Sequence, residues 1–422
     1  MSVLAINGGK PEIEKQYRLF KHPRIDSDTQ DAVLAQLDKT ISLYGNEGIY
    51  EAIENALKKM WSLKYALTVN SGTNALYSMY IASGIRPGDK VLVPAYTFFA
   101  TGTPLLRIGA IPILVDSLEN GNLCPHAFAN RLKEIDYDAK AVVMTHMWGI
   151  PCEISDIIEI ASEHDILVLE DVSHAHGASF DNKVLGSFSD GAAWSFQGKK
   201  ILTSGEGGLY ATKHKFFFEQ AVLLGHFNIR AREDVTTEEL LDFRRTGTGF
   251  NMRMHVLGGA VLFNQLSNFD TQLRHRRETA EYMSNEVRKI EGLRLPSIPR
   301  NSKPAWYAFP VLYDPSYFGG VTKEKFVNAL IKEGAIDADI PGSTCPLTEH
   351  KIFTQPGLIA YPYSETQLEQ IQFLNSTNYR NAKAFHNHLF KLPTFYGEDR
   401  MKYARAYMNA LRKVANNIGE IT

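Results

Sequence analysis

The run Ala193-Trp194-Ser195-Phe196-Gln197-Gly198-Lys199-Lys200 passes directly into Ile201-Leu202-Thr203-Ser204-Gly205-Glu206-Gly207-Gly208. It sets two adjacent lysines between an apolar run and a glycine-dense turn. A lysine amine that is partly desolvated loses some of its preference for the proton, and the free amine attacks carbonyl carbons to form a Schiff base. An adjacent Lys-Lys pair is ordinarily a solvated surface, but the core-like runs at 192–196 and 208–212 on either side make that reading less comfortable.

Two earlier stretches carry complementary chemistry. In Val69-Asn70-Ser71-Gly72-Thr73-Asn74-Ala75-Leu76 a strand ends in a small polar turn that opens a helix. Free backbone N–H groups and the helix dipole favour an anion there, and Ser71 and Thr73 add hydroxyl donors, which describes a phosphate cup. An ordinary Ser or Thr helix cap satisfies the same pattern. In Leu167-Val168-Leu169-Glu170-Asp171-Val172-Ser173-His174-Ala175-His176 an apolar strand delivers carboxylates to its C-terminal end, where ligands bind in open α/β sheets. Strand alternation sends Glu170 and Asp171 to opposite faces, and Asp171 is the candidate to pair with a protonated pyridine nitrogen. His174 and His176, helped by Asp171, also read as metal ligands, but no further His or Cys cluster at ligand spacing accompanies them. For His176 a packed or hydrogen-bonded structural role is preferred.

Elements able to hold these groups are visible as short apolar, β-branched runs at 66–69, 90–94, 111–116, 141–145, 166–171, 192–196 and 208–212, which read as buried strands. Helical spacing links Ile53, Leu57, Met60 and Trp61, and then Leu76, Met79 and Tyr80. Strands alternating with helices predict an α/β domain with a mostly parallel sheet covered on both faces. Beyond about residue 266 the pattern changes to longer helices and Pro-rich segments, with a strand at 308–312 and a final amphipathic helix carrying Tyr407, Leu411, Val414 and Ile418 on one face. The expected organisation is an N-terminal arm over 1–24, a large domain over 25–270 and a smaller domain over 271–422.

At 422 residues the chain has room for two domains. Lys plus Arg number 45 against 47 Asp plus Glu, so no global basic footprint points to nucleic acid. The apolar runs are too short to span a bilayer, and Met1 to Gly8 lacks the features of a signal peptide. Cys124, Cys152 and Cys345 are odd in number and widely spaced, which argues against a disulfide framework. A reducing cytoplasm is the expected location.

The three stretches, in this order and spacing, resemble the DegT/StrS-type (sugar/cyclitol) family of fold type I pyridoxal phosphate (PLP) aminotransferases, from about Tyr44 to Leu266. Its members show a Ser-Gly-Thr-x-Ala-Leu turn, a Thr-aromatic-x-Ala-Thr segment, Glu-Asp-x-x-Gln, and Ser-Phe-x-x-x-Lys followed by Gly-Glu-Gly-Gly. The resemblance implies a seven-stranded, mostly parallel sheet flanked by helices, with a smaller C-terminal α+β domain. It selects Lys200 over Lys199 as the cofactor-linked lysine and Asp171 as the partner of the pyridine nitrogen. Gly72, Thr73 and Ser195 fall on phosphate contacts, beside the hydroxyl of Ser71 already read as cofactor-binding from the turn, and Phe98 on the ring-stacking aromatic. Asn251, in Gly249-Phe250-Asn251-Met252-Arg253-Met254, falls on an element that reaches into the neighbouring subunit's site, which implies a homodimer with shared active sites. His174 stands where the family has Gln and can still hydrogen-bond the cofactor's phenolic oxygen.

The activity implied by this resemblance is transfer of an amino group from glutamate or glutamine to a keto-sugar or keto-cyclitol, Lys200 acting as general base and acid. The segments 145–152, 5–9 and 341–344 are similar to the cyclitol and aminobenzoate branch, which favours a free cyclitol or antibiotic precursor. Aromatising dehydration by a family relative, a non-catalytic PLP-binding regulator and a His-x-His metallohydrolase are the alternatives. The substrate pocket is expected to draw on Tyr44, His146, His226 and the loop 343–347. Arg230 and Arg253 read either as anion clamps or as structural ion pairs.

Overall fold

In a computed structural model the chain is described over residues 3–18, 20–359 and 361–421. Met1, Ser2 and Leu19 of the expected arm, and Ala360 and Thr422 of the expected small domain, lie outside the described residues. The seven predicted runs form one sheet: β1 Tyr65–Val69, β2 Lys90–Pro94, β3 Ile111–Val115, β4 Ala141–Thr145, β5 Leu167–Asp171, β6 Gly191–Ser195 and β7 Gly208–Thr212. Their order is β1-β7-β6-β5-β4-β2-β3, and β7 alone runs against the rest.

Alternation along each strand explains why the sheet is covered on both sides. Val91, Val93, Val143 and Leu169 enter one core beneath the helix Gly72–Ala82, while Leu92, Val142, Met144 and Val168 enter the other with Ile53, Leu57 and Ile157. The strands are apolar on both faces because both faces are buried, as a parallel sheet requires.

A third core holds the C-terminal region. Here β8 Phe309–Tyr313 pairs with β9 Leu389–Leu392, and the last helix, Arg400–Asn416, presents Tyr407, Leu411 and Val414. Leu4, Ile13 and Phe20 from the start of the chain pack into the same core. Between β8 and β9 the helix Lys323–Lys332 packs into this third core, and the later part of the segment returns to the sheet: Thr344–Pro346 pairs with the short strand Tyr96–Phe98, and the Asn375 amide bonds Leu114 N–H and the Pro112 carbonyl. That amide satisfies the outer edge of β3, which would otherwise be open to pairing with another chain. Among the described residues no helix is long and apolar enough to cross a membrane.

Candidate functional site

A cavity of about 380 Å³ opens where the C-terminal ends of β4, β5 and β6 meet the turn after β1. Ser71, Gly72, Thr73, Phe98, Asp171, His174, Ser195 and Lys200 all line it, so the fold brings together eight of the nine predicted site residues. The ninth, Asn251, lies elsewhere: it is exposed and bridged to His226, with its Oδ1 accepting from Arg253 N–H.

The turn after β1 is built by close approach. Ser71 caps the helix Gly72–Ala82 by accepting from Asn74 N–H, which leaves the N–H groups of Gly72 and Thr73 without intrahelical partners. A Cβ on Gly72 would stand 2.4 Å from Ser195 Cβ, and one on Gly208 would stand 2.5 Å from the Ser71 carbonyl oxygen. Only glycine at these two positions lets the helix start, β6 and β7 come this near. The result is a cradle of backbone donors and hydroxyls with the positive end of a helix dipole behind it.

Asp171 is 5% exposed. Its Oδ2 accepts from Thr101 Oγ1 at 2.8 Å and its Oδ1 from Ser173 N–H at 3.1 Å, and Thr97 in turn holds Thr101. These bonds fix the carboxylate's direction. Glu170 points the other way, as alternation requires; burial alone would raise its pKa, but donation by His146, Gly186 N–H and Ser189 outweighs this and holds it low.

Lys200 closes the cavity floor, with Nζ 4.7 Å from the centre of the Tyr307 ring. The cavity leaves the residue partly accessible, yet protein atoms crowd the amine. Burial brings its pKa down to about 8 against the opposing pull of Asp171. Lys199 is exposed at the mouth. His22 Nε2 lies 2.8 Å from the Lys200 carbonyl, so the N-terminal segment secures the lysine's backbone.

His174 sits in a stack of aromatic rings, 4.2 Å from Tyr307 and 5.5 Å from Trp148 between centroids. Burial, then the charge of Lys200, holds its pKa well below the ordinary value, so the ring is neutral. Its buried Nδ1 has no partner among the described residues. His176 serves the core: its Nδ1 accepts from Leu202 N–H, and its ring packs on Trp61 and Phe196. Among the described residues no group of three His, Cys, Asp or Glu could hold a metal ion.

Several expectations about the pocket are corrected. His146 is fully buried outside the cavity, where Nδ1 accepts from Cys152 N–H and Nε2 meets Glu170 at 3.2 Å. The chain reverses just after it, with Trp148 at φ 58°, so Trp148 reaches the cavity and His146 does not. His226 is buried elsewhere, and Tyr44 is exposed, with Arg253 5.3 Å above its ring. Of the loop 343–347, Ser343 and Thr344 line the cavity. Arg230 is a structural ion pair, buried between Glu54 and Asp234. Tyr307, Asp339 and Lys391 line the cavity without having been foreseen. They come from the C-terminal region and carry no local motif.

The observed residues fit PLP. The Gly72 cradle would lose its shape to a single Cβ, the buried His174 nitrogen lacks a partner, and the desolvated amine shares the cavity with a fixed carboxylate.

Fold and cavity define the class of this chain: a PLP-dependent transferase of fold type I. The profile of the DegT/DnrJ/EryC1/StrS aminotransferase family matches residues 23–395, and the chain belongs to that family. GDP-perosamine synthase of Caulobacter vibrioides is 32% identical over 64% of this chain and 69% of its own length. A putative L-glutamine:3-amino-2,3-dideoxy-scyllo-inosose aminotransferase of Micromonospora echinospora is 28% identical over 64% of this chain and 63% of its own. The solved structure of an aminotransferase from Psychrobacter cryohalolentis superposes with a TM-score of 0.79 at 23% identity, covering 95% of this chain and 99% of that one.

Proposed function

We propose that this aminotransferase takes its amino group from glutamate or glutamine and delivers it to a cyclic, polyhydroxylated ketone, either a keto-sugar or a keto-cyclitol. The similarity to a GDP-perosamine synthase and to an inosose aminotransferase supports that acceptor class. One observation carries the chemistry: a desolvated Lys200 amine and a fixed Asp171 carboxylate face the same cavity. When bound, PLP supplies the electron sink that accepts charge from the donor's Cα.

The chain's residues divide the remaining work. Gly72 and Thr73 N–H groups, with the Ser71 and Ser195 hydroxyls, bind the phosphate, and Phe98 packs on the ring. Asp171 holds a proton on the pyridine nitrogen, its direction set by Thr101 and Ser173. Neutral His174, its ring held by stacking on Tyr307 and Trp148, would hydrogen-bond the phenolic oxygen. Lys200, with a pKa of about 8, is close enough to neutrality both to take a proton from the donor's Cα and to return it.

Asn251 completes the phosphate site of a second copy of the chain. Exposed Leu34, Ile41, Tyr44 and Phe250 supply apolar surface for such an interface. Borohydride treatment of the PLP-loaded protein, followed by peptide mapping, is expected to place a pyridoxyl group on Lys200. Glutamate or glutamine added beforehand should bleach the visible band and prevent that labelling. A label on Lys199, or none, overturns the assignment.

A further inference from the structure

The aminotransfer chemistry leaves one charged pair in the cavity without a role. Lys391 on β9 and Asp339 both line it, with Nζ and Oδ2 2.8 Å apart. Their backbones are locked opposite each other: Asp339 N–H donates to the Lys391 carbonyl at 3.0 Å, and Lys391 N–H donates to the Asp339 carbonyl at 2.8 Å. A rigid ladder therefore presents the pair. The side chains remain open, 24% exposed for Lys391 and 54% for Asp339, and ion pairs so exposed do little for stability. The Lys391 charge reaches the reacting region: after burial, Lys200 and His176, it is a further influence holding His174 neutral.

Among the described residues three cationic side chains line the cavity: Lys199, Lys200 and Lys391. Lys200 is committed to proton transfer. An amino-acid donor brings an α-carboxylate that needs a cation beside the reacting carbon, whereas the reacting carbonyl of a keto-sugar or keto-cyclitol has no carboxylate attached to it. We propose that Lys391 is the donor's α-carboxylate site and that Asp339 is its resident counter-ion, displaced when the donor binds. This rests on the aminotransfer reading above. The exchange replaces one carboxylate by another at the same ammonium, and half-exposed Asp339 returns to water, so Lys391 is not left as an unpaired charge at any stage. It also suits a site that must hold in turn a substrate with a carboxylate beside the reacting carbon and one without it, because the pair closes on itself once the keto acid has left.

The two partners are predicted to act with opposite sign. In single-turnover mixing of the PLP-loaded protein with L-glutamate or L-glutamine, followed by loss of the visible band, Lys391→Met raises the half-saturating donor concentration about 10- to 100-fold. The maximal rate stays within about threefold, and Lys391→Arg recovers most of the affinity. Asp339→Asn removes the competing carboxylate and lowers the half-saturating concentration severalfold. Glutarate, which has carboxylates and no amine, competes with glutamate in the wild type and loses potency in Lys391→Met. If Asp339→Asn weakens the donor as Lys391→Met does, the pair is structural and the proposal fails. It fails too if Lys391→Met changes donor affinity less than twofold, or affects glutamate and spares glutamine. Should Lys391→Met not fold, the sign of the Asp339→Asn effect decides. A wild type whose band no donor bleaches refutes the aminotransfer reading itself, whereas bleaching with equal donor dependence in every variant refutes only the role of Lys391.

Discussion

Replacement of Gly72 by alanine tests the phosphate cradle most directly. The added Cβ would lie 2.4 Å from Ser195 Cβ, 2.7 Å from its Oγ and 2.9 Å from its Cα. Carbon atoms in contact prefer about 3.5–4.0 Å, so the helix start and the end of β6 must part by roughly 1 Å. Neither side yields easily, because β7 lies between β1 and β6 and Gly208 is itself pressed against Ser71. Overpacking of this kind costs about 1–3 kcal/mol of stability. The same displacement moves the Gly72 and Thr73 N–H groups away from Ser195. A hydrogen bond to a charged group contributes about 1.5–3 kcal/mol, so the loss of one or two predicts PLP binding weaker by roughly 10- to 10⁴-fold. Affinity is read by titrating cofactor-free protein and following the visible band, with thermal unfolding in parallel. Phosphate-free pyridoxal is the control, since its weaker binding should hardly change. Gly72→Ala protein that binds PLP within about threefold of wild type, with unaltered unfolding, would refute the reasoning.

Two further outcomes are expected of the site. With its pKa near 8, the Lys200 amine of cofactor-free protein should acylate with a midpoint near pH 8: a depressed lysine pKa disfavours the charged form, so reactivity grows as pH rises through that value. Mass spectrometry of the Lys200 peptide, with surface lysines as internal reference, checks this, and a midpoint near that of an ordinary lysine contradicts it. If Asn251 completes a partner's site, mixing inactive Lys200→Ala with Asn251→Ala protein regenerates one intact site per mixed dimer, about one quarter of wild-type activity from an equal mixture; no recovery despite subunit exchange refutes shared sites.

The strands were legible because burial on both faces of a parallel sheet leaves an apolar run that few other structures explain. β2, β4 and β7 begin and end where the residues predict, and the strand predicted at 308–312 is displaced by one residue, to Phe309–Tyr313. The glycine and hydroxyl turn after β1 was legible for a related reason: such small residues beside a helix start have few uses. Ser71 does both things the sequence allowed, capping the helix and lining the cavity. Side-chain alternation on β5 correctly separated Asp171 from Glu170.

Loop direction was not legible. His146 reads as readily as a pocket residue as it does a core one, and only the reversal at Trp148 and the buried Glu170 beside it decide the matter. Nor do the residues alone choose between Lys199 and Lys200; the turn that starts at Gln197 exposes one and buries the amine of the other over Tyr307. Tyr307, Asp339 and Lys391 reach the cavity from more than a hundred residues beyond Lys200, through packing of the C-terminal core against the sheet. Local pattern specifies which segments become strands and which turn can cradle an anion, because those depend on neighbours in sequence. Which distant charge faces that turn depends on how two cores dock, and that is decided only in three dimensions.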